Sequence, residues 1–125
     1  MRFNSIRPIF AQIAELLAAR ILEGSLGPGD RLPSARELAS SLEVNPNTAA
    51  RALQALADEG VARCERGTGY FVSEAGPSVA KAERRKSFFE AELPALFRRM
   101  DELGIGIEEI AGRYASRGSP KENDR

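Results

Sequence analysis

The sequence predicts a mainly α-helical protein with a small β wing, in which a winged helix-turn-helix domain precedes a short two-helix dimerisation segment. Three observations favour this fold class. Two capped amphipathic helices joined by a tight turn occupy residues 34–60, and two short strand-like runs around a glycine-rich tip follow them directly. Apolar residues then recur in a 4-3-4-3 spacing from residue 89 to residue 103. We expect three parts: a winged helix-turn-helix domain (1–75), a C-terminal helical dimerisation segment (76–118) and a polar tail (119–125).

The amino-acid composition limits the classes of function that are possible for this chain. The chain has 125 residues, of which 42% are hydrophobic and 29% charged, so it can bury a core and remain soluble. Without a membrane-length apolar run or a secretory signal, we expect a cytoplasmic protein that does not contact the membrane. The 18 basic and 18 acidic residues cancel, so any positive potential for nucleic acid must be local. One Cys and no His favour neither metal nor cofactor, and we expect no enzyme.

A first helix is predicted after the short lead-in formed by residues 1–7. It should run from Pro8 to about Glu23, because proline suits the first helical turn and apolar residues recur along one face. Gly24 ends it, and residues 27–30 form a turn cluster. The two residues before Pro33 should be extended, since the proline ring disfavours helical backbone at the preceding residue.

The central helix pair is marked by its caps. Ser34 and Glu37 form a capping box at the start of the first of these helices. Asn45 is a favoured N-cap for the second, and Pro46 suits the next position because its missing N–H would be unpaired there. Gly60 can close this helix in a left-handed conformation. The buried stripes are Ala35, Leu38, Ala39 and Leu42, then Ala49, Ala52, Leu53 and Leu56.

The outer face of the second helix, residues 46–59, is polar. At 100° per residue, Asn47, Arg51, Gln54 and Asp58 lie opposite the apolar stripe. Most of these side chains can hydrogen-bond to base edges or phosphates, and no acid occurs between Val44 and Ala57. The face fits a recognition helix in a DNA major groove. It also fits an ordinary solvated surface, and these residues alone do not separate the two.

A β-hairpin is predicted directly behind the helix pair. Residues 61–64 and 70–72 suit strands, and residues 65–69 suit the tip, so residues 61–72 form a wing. Arg66 at the tip can reach a phosphate or the minor groove, although an ordinary exposed turn would look the same. Cys64 is either a small apolar strand residue or a redox sensor, and the lack of a second Cys favours the former.

The run from Pro8 to Val72 resembles the DNA-binding domain of the GntR family of bacterial transcription regulators. The resemblance is carried, in order, by Pro8-Ile9-Phe10, Gln12-Ile13, Ile21-Leu22-Glu23-Gly24, Gly29-Asp30-Arg31-Leu32-Pro33-Ser34, Arg36-Glu37-Leu38-Ala39, Val44-Asn45-Pro46-Asn47-Thr48, Arg51-Ala52, Glu59-Gly60, Arg66-Gly67, Gly69 and Phe71-Val72. This resemblance implies a sequence-specific DNA-binding regulator. The positions that match the family's operator contacts are Ser34, Arg36, Asn45, Asn47, Thr48, Arg51, Arg66, Gly67 and Thr68. Arginine can pair with guanine or phosphate, and asparagine with adenine.

The sequence departs from the family pattern at two positions. Glu43 stands in the turn where the family usually has glycine, so a positive φ there would cost about 1–2 kcal/mol. Ala49 replaces a larger aliphatic residue, commonly valine, and is expected to loosen the packing slightly.

The C-terminal segment is predicted to pair two chains. Its seam consists of Phe89, Leu93, Leu96, Met100 and Leu103, with a kink or a new helix start at Pro94, and a second short helix follows Gly106. Within the family, the YtrA-like subgroup has such a segment and uses it for dimerisation. The basic run at residues 84–86 is either a solvated face or a supporting contact to flanking phosphate.

Two functions follow from these expectations. The first is a homodimeric transcription regulator, expected to be a repressor, that binds a palindromic operator in double-stranded DNA. The alternative is a winged-helix protein-interaction module without a DNA role, for which the zero net charge is the only support. The sequence does not define an effector, the operator or the regulated genes.

Overall fold

A computed structural model describes Phe3 and residues 6–118, and the predictions for the remaining lead-in residues and for the tail at 119–125 lie outside this part. The chain divides into two compact units, residues 1–85 and residues 86–125. The elements are α1 (Ile9–Leu22), α2 (Ala35–Leu42), α3 (Pro46–Asp58), β1 (Ala62–Glu65), β2 (Gly69–Val72), α4 (Gly76–Ser87), a π-helical turn (Phe88–Glu92), α5 (Leu93–Leu103) and α6 (Ile107–Ser116). The predicted fold class, mainly helical with a two-stranded wing, is confirmed. No helix within the described residues has the length and apolar character needed to cross a membrane.

The core of the first unit lies where α3 packs against α1 and α2. Both predicted apolar stripes face it, and Ala49 is fully buried there. Burial of this apolar surface is the main favourable term in folding. The largest fully buried side chains are Ile13, Leu17, Leu32, Leu53, Leu56, Val61 and Val72.

The caps form as predicted. The Glu37 N–H donates to Ser34 Oγ at 3.0 Å, and the Ser34 N–H donates to Glu37 Oε1 at 2.8 Å. The backbone donor at Ser34 lowers the pKa of the Glu37 carboxyl. Asn45 Oδ1 accepts from the Asn47 N–H at 2.7 Å, and Gly60 after α3 has a φ of 88°. Local hydrogen bonding therefore fixes where both helices begin.

The turn between α2 and α3 contains a left-handed residue with a side chain. Glu43 has φ 57° and ψ 50°, and it is the one non-glycine residue with positive φ in the described part of the chain. The strain anticipated at this departure from the family pattern is therefore present. It results from crowding between Cβ and the following carbonyl oxygen.

We expect Glu43→Gly to raise the free energy of unfolding by about 1 kcal/mol. Removing Cβ relieves about 1–2 kcal/mol of strain, and the greater freedom of glycine in the unfolded chain offsets part of that gain. Denaturant unfolding measures the difference. Glu43→Ala is the control, because it removes the carboxylate and keeps Cβ, so it should bring no comparable gain. An equal gain in both variants would assign the effect to the carboxylate.

The wing contains more pairing than the hairpin alone. β1 and β2 pair antiparallel, with Cys64 opposite Tyr70 and Ala62 opposite Val72. The segment before Pro33 is extended as predicted, and it also pairs with β2. The Leu32 N–H donates to the Tyr70 carbonyl at 2.8 Å, and the Val72 N–H donates to the Asp30 carbonyl at 2.9 Å. The wing is thus tied to the chain that leads into α2, and the sequence patterns did not indicate this pairing.

A π-helical turn interrupts the helical run after the wing. A new α-helix begins at Leu93, with Pro94 in its first turn, which is one of the two outcomes predicted at this proline. There the Leu93 N–H donates to the Phe88 carbonyl. The first half of α4 also belongs to the core of the first unit, because Ala80 is buried there and Val79 packs against it. The first compact unit accordingly extends to residue 85, within α4.

Candidate nucleic-acid interface

The exposed face of α3 carries the four polar residues that helical periodicity placed there. Asn47, Arg51, Gln54 and Asp58 are all exposed, whereas the residues between them that face α1 and α2 are buried. A single charged side chain, Arg51, lies in the first three turns of the helix. The N-terminal part of this face, with Asn47 and Arg51, is therefore available to a partner outside the fold.

The two ends of α3 differ in electrostatic character. No acid lies in its first turn, and the free backbone N–H groups give that end a partial positive charge. At the other end, burial first, and then the carboxylates of Glu83 and Asp58, raise the pKa of Glu59. Acidic groups thus accumulate at the C-terminal end. An anionic ligand is favoured at the N-terminal end, where Asn47 and Thr48 lie.

Three arginines of the predicted site have unsatisfied donors. Arg36 on α2, Arg51 on α3 and Arg66 at the wing tip are exposed, and none of them forms a hydrogen bond or an ion pair with the described part of the chain. Arg63, in contrast, pairs with Glu65 at 3.0 Å. A guanidinium presents five N–H donors in a rigid fork that matches phosphate and the guanine edge. The three side chains are thus chemically suited to nucleic acid.

Ser34 and Thr48 are the least accessible members of the predicted set, since both are half-buried. Ser34 Oγ already accepts the capping bond, so its hydroxyl proton is what it can still offer to a phosphate. The side chain of Asn45 is likewise engaged by its cap, and its NH₂ group remains available. Ser34 and Asn45 thus cap the helix starts in addition to any contact they make.

The wing tip is held in a compact turn. Arg66, Gly67 and Thr68 are exposed there, Gly67 has a φ of 79°, and the Thr68 N–H donates to the Glu65 carbonyl at 2.9 Å. Arg31, from the segment before α2, donates from Nε to the Thr68 carbonyl at 3.4 Å. The predicted tip residues are therefore displayed together. The support from Arg31 was not anticipated.

Gln54 does not face solvent freely, although its position on the helix face suggested that it could read bases. Tyr70 of β2 donates from its hydroxyl to Gln54 Oε1 at 2.9 Å, and Gln54 Nε2 donates to Asp58 Oδ1 at 2.9 Å. Burial first, and then the neighbouring Cys64, raise the pKa of Tyr70, so its hydroxyl stays protonated and can donate. Gln54 therefore connects α3 to the wing. The contact between Tyr70 and Gln54 could have been inferred from the sequence of β2. Side chains alternate along a strand, so Tyr70 lies on the same face as the buried Val72.

Arg51 also has an unpredicted neighbour. Its Cζ lies 4.2 Å from the centroid of the Phe10 ring, which α1 contributes. The apolar periodicity predicted for the first helix gave no indication of this contact. Cys64 is exposed on β1, opposite Tyr70 of β2.

Comparison with known proteins identifies relatives along most of the chain. The family model described as "Bacterial regulatory proteins, gntR family" matches residues 10–72. Two Bacillus subtilis proteins are similar: the HTH-type transcriptional regulator YhcF (36% identity, covering 87% of this chain and 88% of that protein) and the HTH-type transcriptional repressor YtrA (33% identity, 86% and 82%). The solved structure of a GntR family transcriptional regulator from Listeria monocytogenes matches with a TM-score of 0.73 at 31% identity, covering 93% of this chain and 100% of that one.

Proposed function

The chain belongs to the GntR family of bacterial regulatory proteins, and we propose that it is a homodimeric repressor that binds a palindromic operator through α3 and the wing. As a member of this family it is a DNA-binding transcriptional regulator, and its relatives are regulators rather than enzymes. The observation that carries the proposal is the set of three exposed arginines on α2, α3 and the wing tip whose N–H donors form no hydrogen bond or ion pair within the described residues.

We assign distinct tasks to the parts of the interface. The N-terminal half of α3 enters the major groove, where Asn47 and Arg51 contact base edges and Thr48 contacts phosphate. Arg36 binds the backbone beside it, and the wing tip with Arg66 reaches the minor groove. Ser34 and Asn45 hold the helix starts and contribute phosphate contacts. Support comes from the absence of acid in the first turn of α3 and from the exposure of the wing tip.

Dimerisation through the second unit brings a second DNA-binding domain to the operator. Leu103 is 71% exposed and Ile107 60%, and Phe89 is 52% exposed. Large apolar side chains that remain accessible in a single chain favour burial against another. Two-fold pairing places two α3 helices on half-sites about one turn of DNA apart. The proposed dimer surface consists of Phe89, Leu93, Leu96, Met100 and Leu103, of which Leu93 and Leu96 are half-buried and Met100 is already buried within the single chain.

Repression follows from occupation of the operator, which denies the promoter to RNA polymerase. The name of the similar Bacillus subtilis protein YtrA, a transcriptional repressor, supports this direction of control. No cofactor takes part in the proposed mechanism, since the contacts are hydrogen bonds and ion pairs that the side chains make directly.

Selection of bound sequences from a random DNA library tests the proposal. We expect a palindrome, and we expect affinity for it to fall steeply with salt, because each phosphate contact releases counterions on binding. A protein with 6–10 such contacts loses about 10³- to 10⁵-fold in affinity between 50 and 200 mM salt. A scrambled palindrome is the control. Equal affinity for both DNAs, or enrichment of no sequence, would contradict the proposal.

A further inference from the structure

The guanidinium of Arg51 lies on an aromatic ring that belongs to a different helix. Phe10 is half-buried and packs against the core of the first unit, so its ring is fixed by α1. Arg51 is exposed on α3, with its Cζ 4.2 Å from the ring centroid. A cation at this distance over a ring face is attracted by the ring quadrupole.

This placement leaves the hydrogen-bonding capacity of Arg51 intact. The contact with the ring is an attraction between a cation and a π system, and it occupies none of the N–H donors of Arg51 in a hydrogen bond to an acceptor oxygen. No other group in the described part of the chain occupies those donors, because Arg51 has no hydrogen bond and no ion pair there. A long arginine side chain normally loses rotamer freedom when it binds, and prior contact with the ring reduces that loss.

We propose that Phe10 is a positioning residue for DNA recognition: its ring holds Arg51 in the orientation that the operator requires. The inference rests on the proposed function, since it assumes that Arg51 contacts the operator. It extends the interface to α1, which otherwise supports α3 through the core. The competing explanation is that Phe10 only fills space beside the core, in which case its replacement changes stability and its effect on DNA binding is independent of Arg51.

A double-mutant cycle separates these explanations. Phe10→Leu keeps an apolar side chain and removes the ring, Phe10→Met provides a second replacement of that kind, and Phe10→Tyr keeps the ring. Each is made in the natural chain and together with Arg51→Ala. Affinity for the selected operator and for a scrambled duplex is measured by titration, and thermal unfolding is recorded in parallel.

We expect Phe10→Leu and Phe10→Met to weaken operator binding about two- to fivefold, the size of an exposed cation–π contact. Both should leave scrambled-duplex affinity unchanged, and Phe10→Tyr should retain full operator binding. In the Arg51→Ala background the same replacements should have no further effect. An equal loss with and without Arg51, in proteins that still bind the operator, would overturn the positioning role alone. Failure of the natural chain to prefer any sequence would instead overturn the proposed function.

Discussion

Replacing Arg51 with alanine is expected to weaken operator binding by about 1–3 kcal/mol, which corresponds to roughly a 5- to 150-fold loss of affinity. Arg51 supplies the single positive charge in the first three turns of α3, and all its donors are available to DNA. If it contacts a base, the loss should be larger for the operator than for a scrambled duplex, since a base contact contributes to specific binding only. Titration of both duplexes at one salt concentration measures this difference.

Two variants serve as controls for that result. Arg51→Lys keeps the positive charge and removes the planar fork, so a bidentate contact to a base should be lost while attraction to phosphate remains. Arg113→Ala removes the same charge from α6, where the guanidinium is 81% exposed, and should leave affinity nearly unchanged. If Arg51→Ala and Arg113→Ala had equal effects, Arg51 would contribute general charge and no specific contact.

Placing a charge in the proposed dimer surface is expected to have the second large effect. Leu103→Glu should convert the dimer to a monomer, because a carboxylate buried between two chains would lose its hydration without a partner. A monomer can bind one half-site at a time, so affinity for the full palindrome should fall by about 10²- to 10⁴-fold. Affinity for an isolated half-site should stay the same. Analytical ultracentrifugation and titration with the two DNAs measure both effects.

Leu103 suits this experiment because it is highly exposed in the single chain, so a polar replacement should not unfold the protein. Arg98→Glu is the control, since Arg98 is exposed on the face of α5 opposite the proposed dimer surface and the charge change is larger. We expect Arg98→Glu to remain dimeric. A dimeric Leu103→Glu protein with full affinity for the palindrome would remove Leu103 from the interface and would place the contact between chains elsewhere.

The sequence by itself determined the elements whose causes are local. Ser34 and Glu37 satisfy free backbone donors at the start of α2, and Asn45 with Pro46 does so for α3, so residues within a single turn decide where each helix begins. Helical periodicity likewise placed Asn47 and Arg51 on the exposed face. Such features depend on neighbours three or four residues away.

Only the tertiary structure decided which of these exposed residues contact other parts of the fold, and which residues they contact. Gln54 occupies the same helix face as Arg51, yet Tyr70 of the wing binds it, whereas the ring of Phe10 leaves the donors of Arg51 available. Arg31 reaches the Thr68 carbonyl across 37 residues of chain, and the segment before Pro33 pairs with β2. These contacts join residues far apart in the chain. Their partners are set by the packing of α1, α3 and the wing around one core, which no local pattern of residue types specifies.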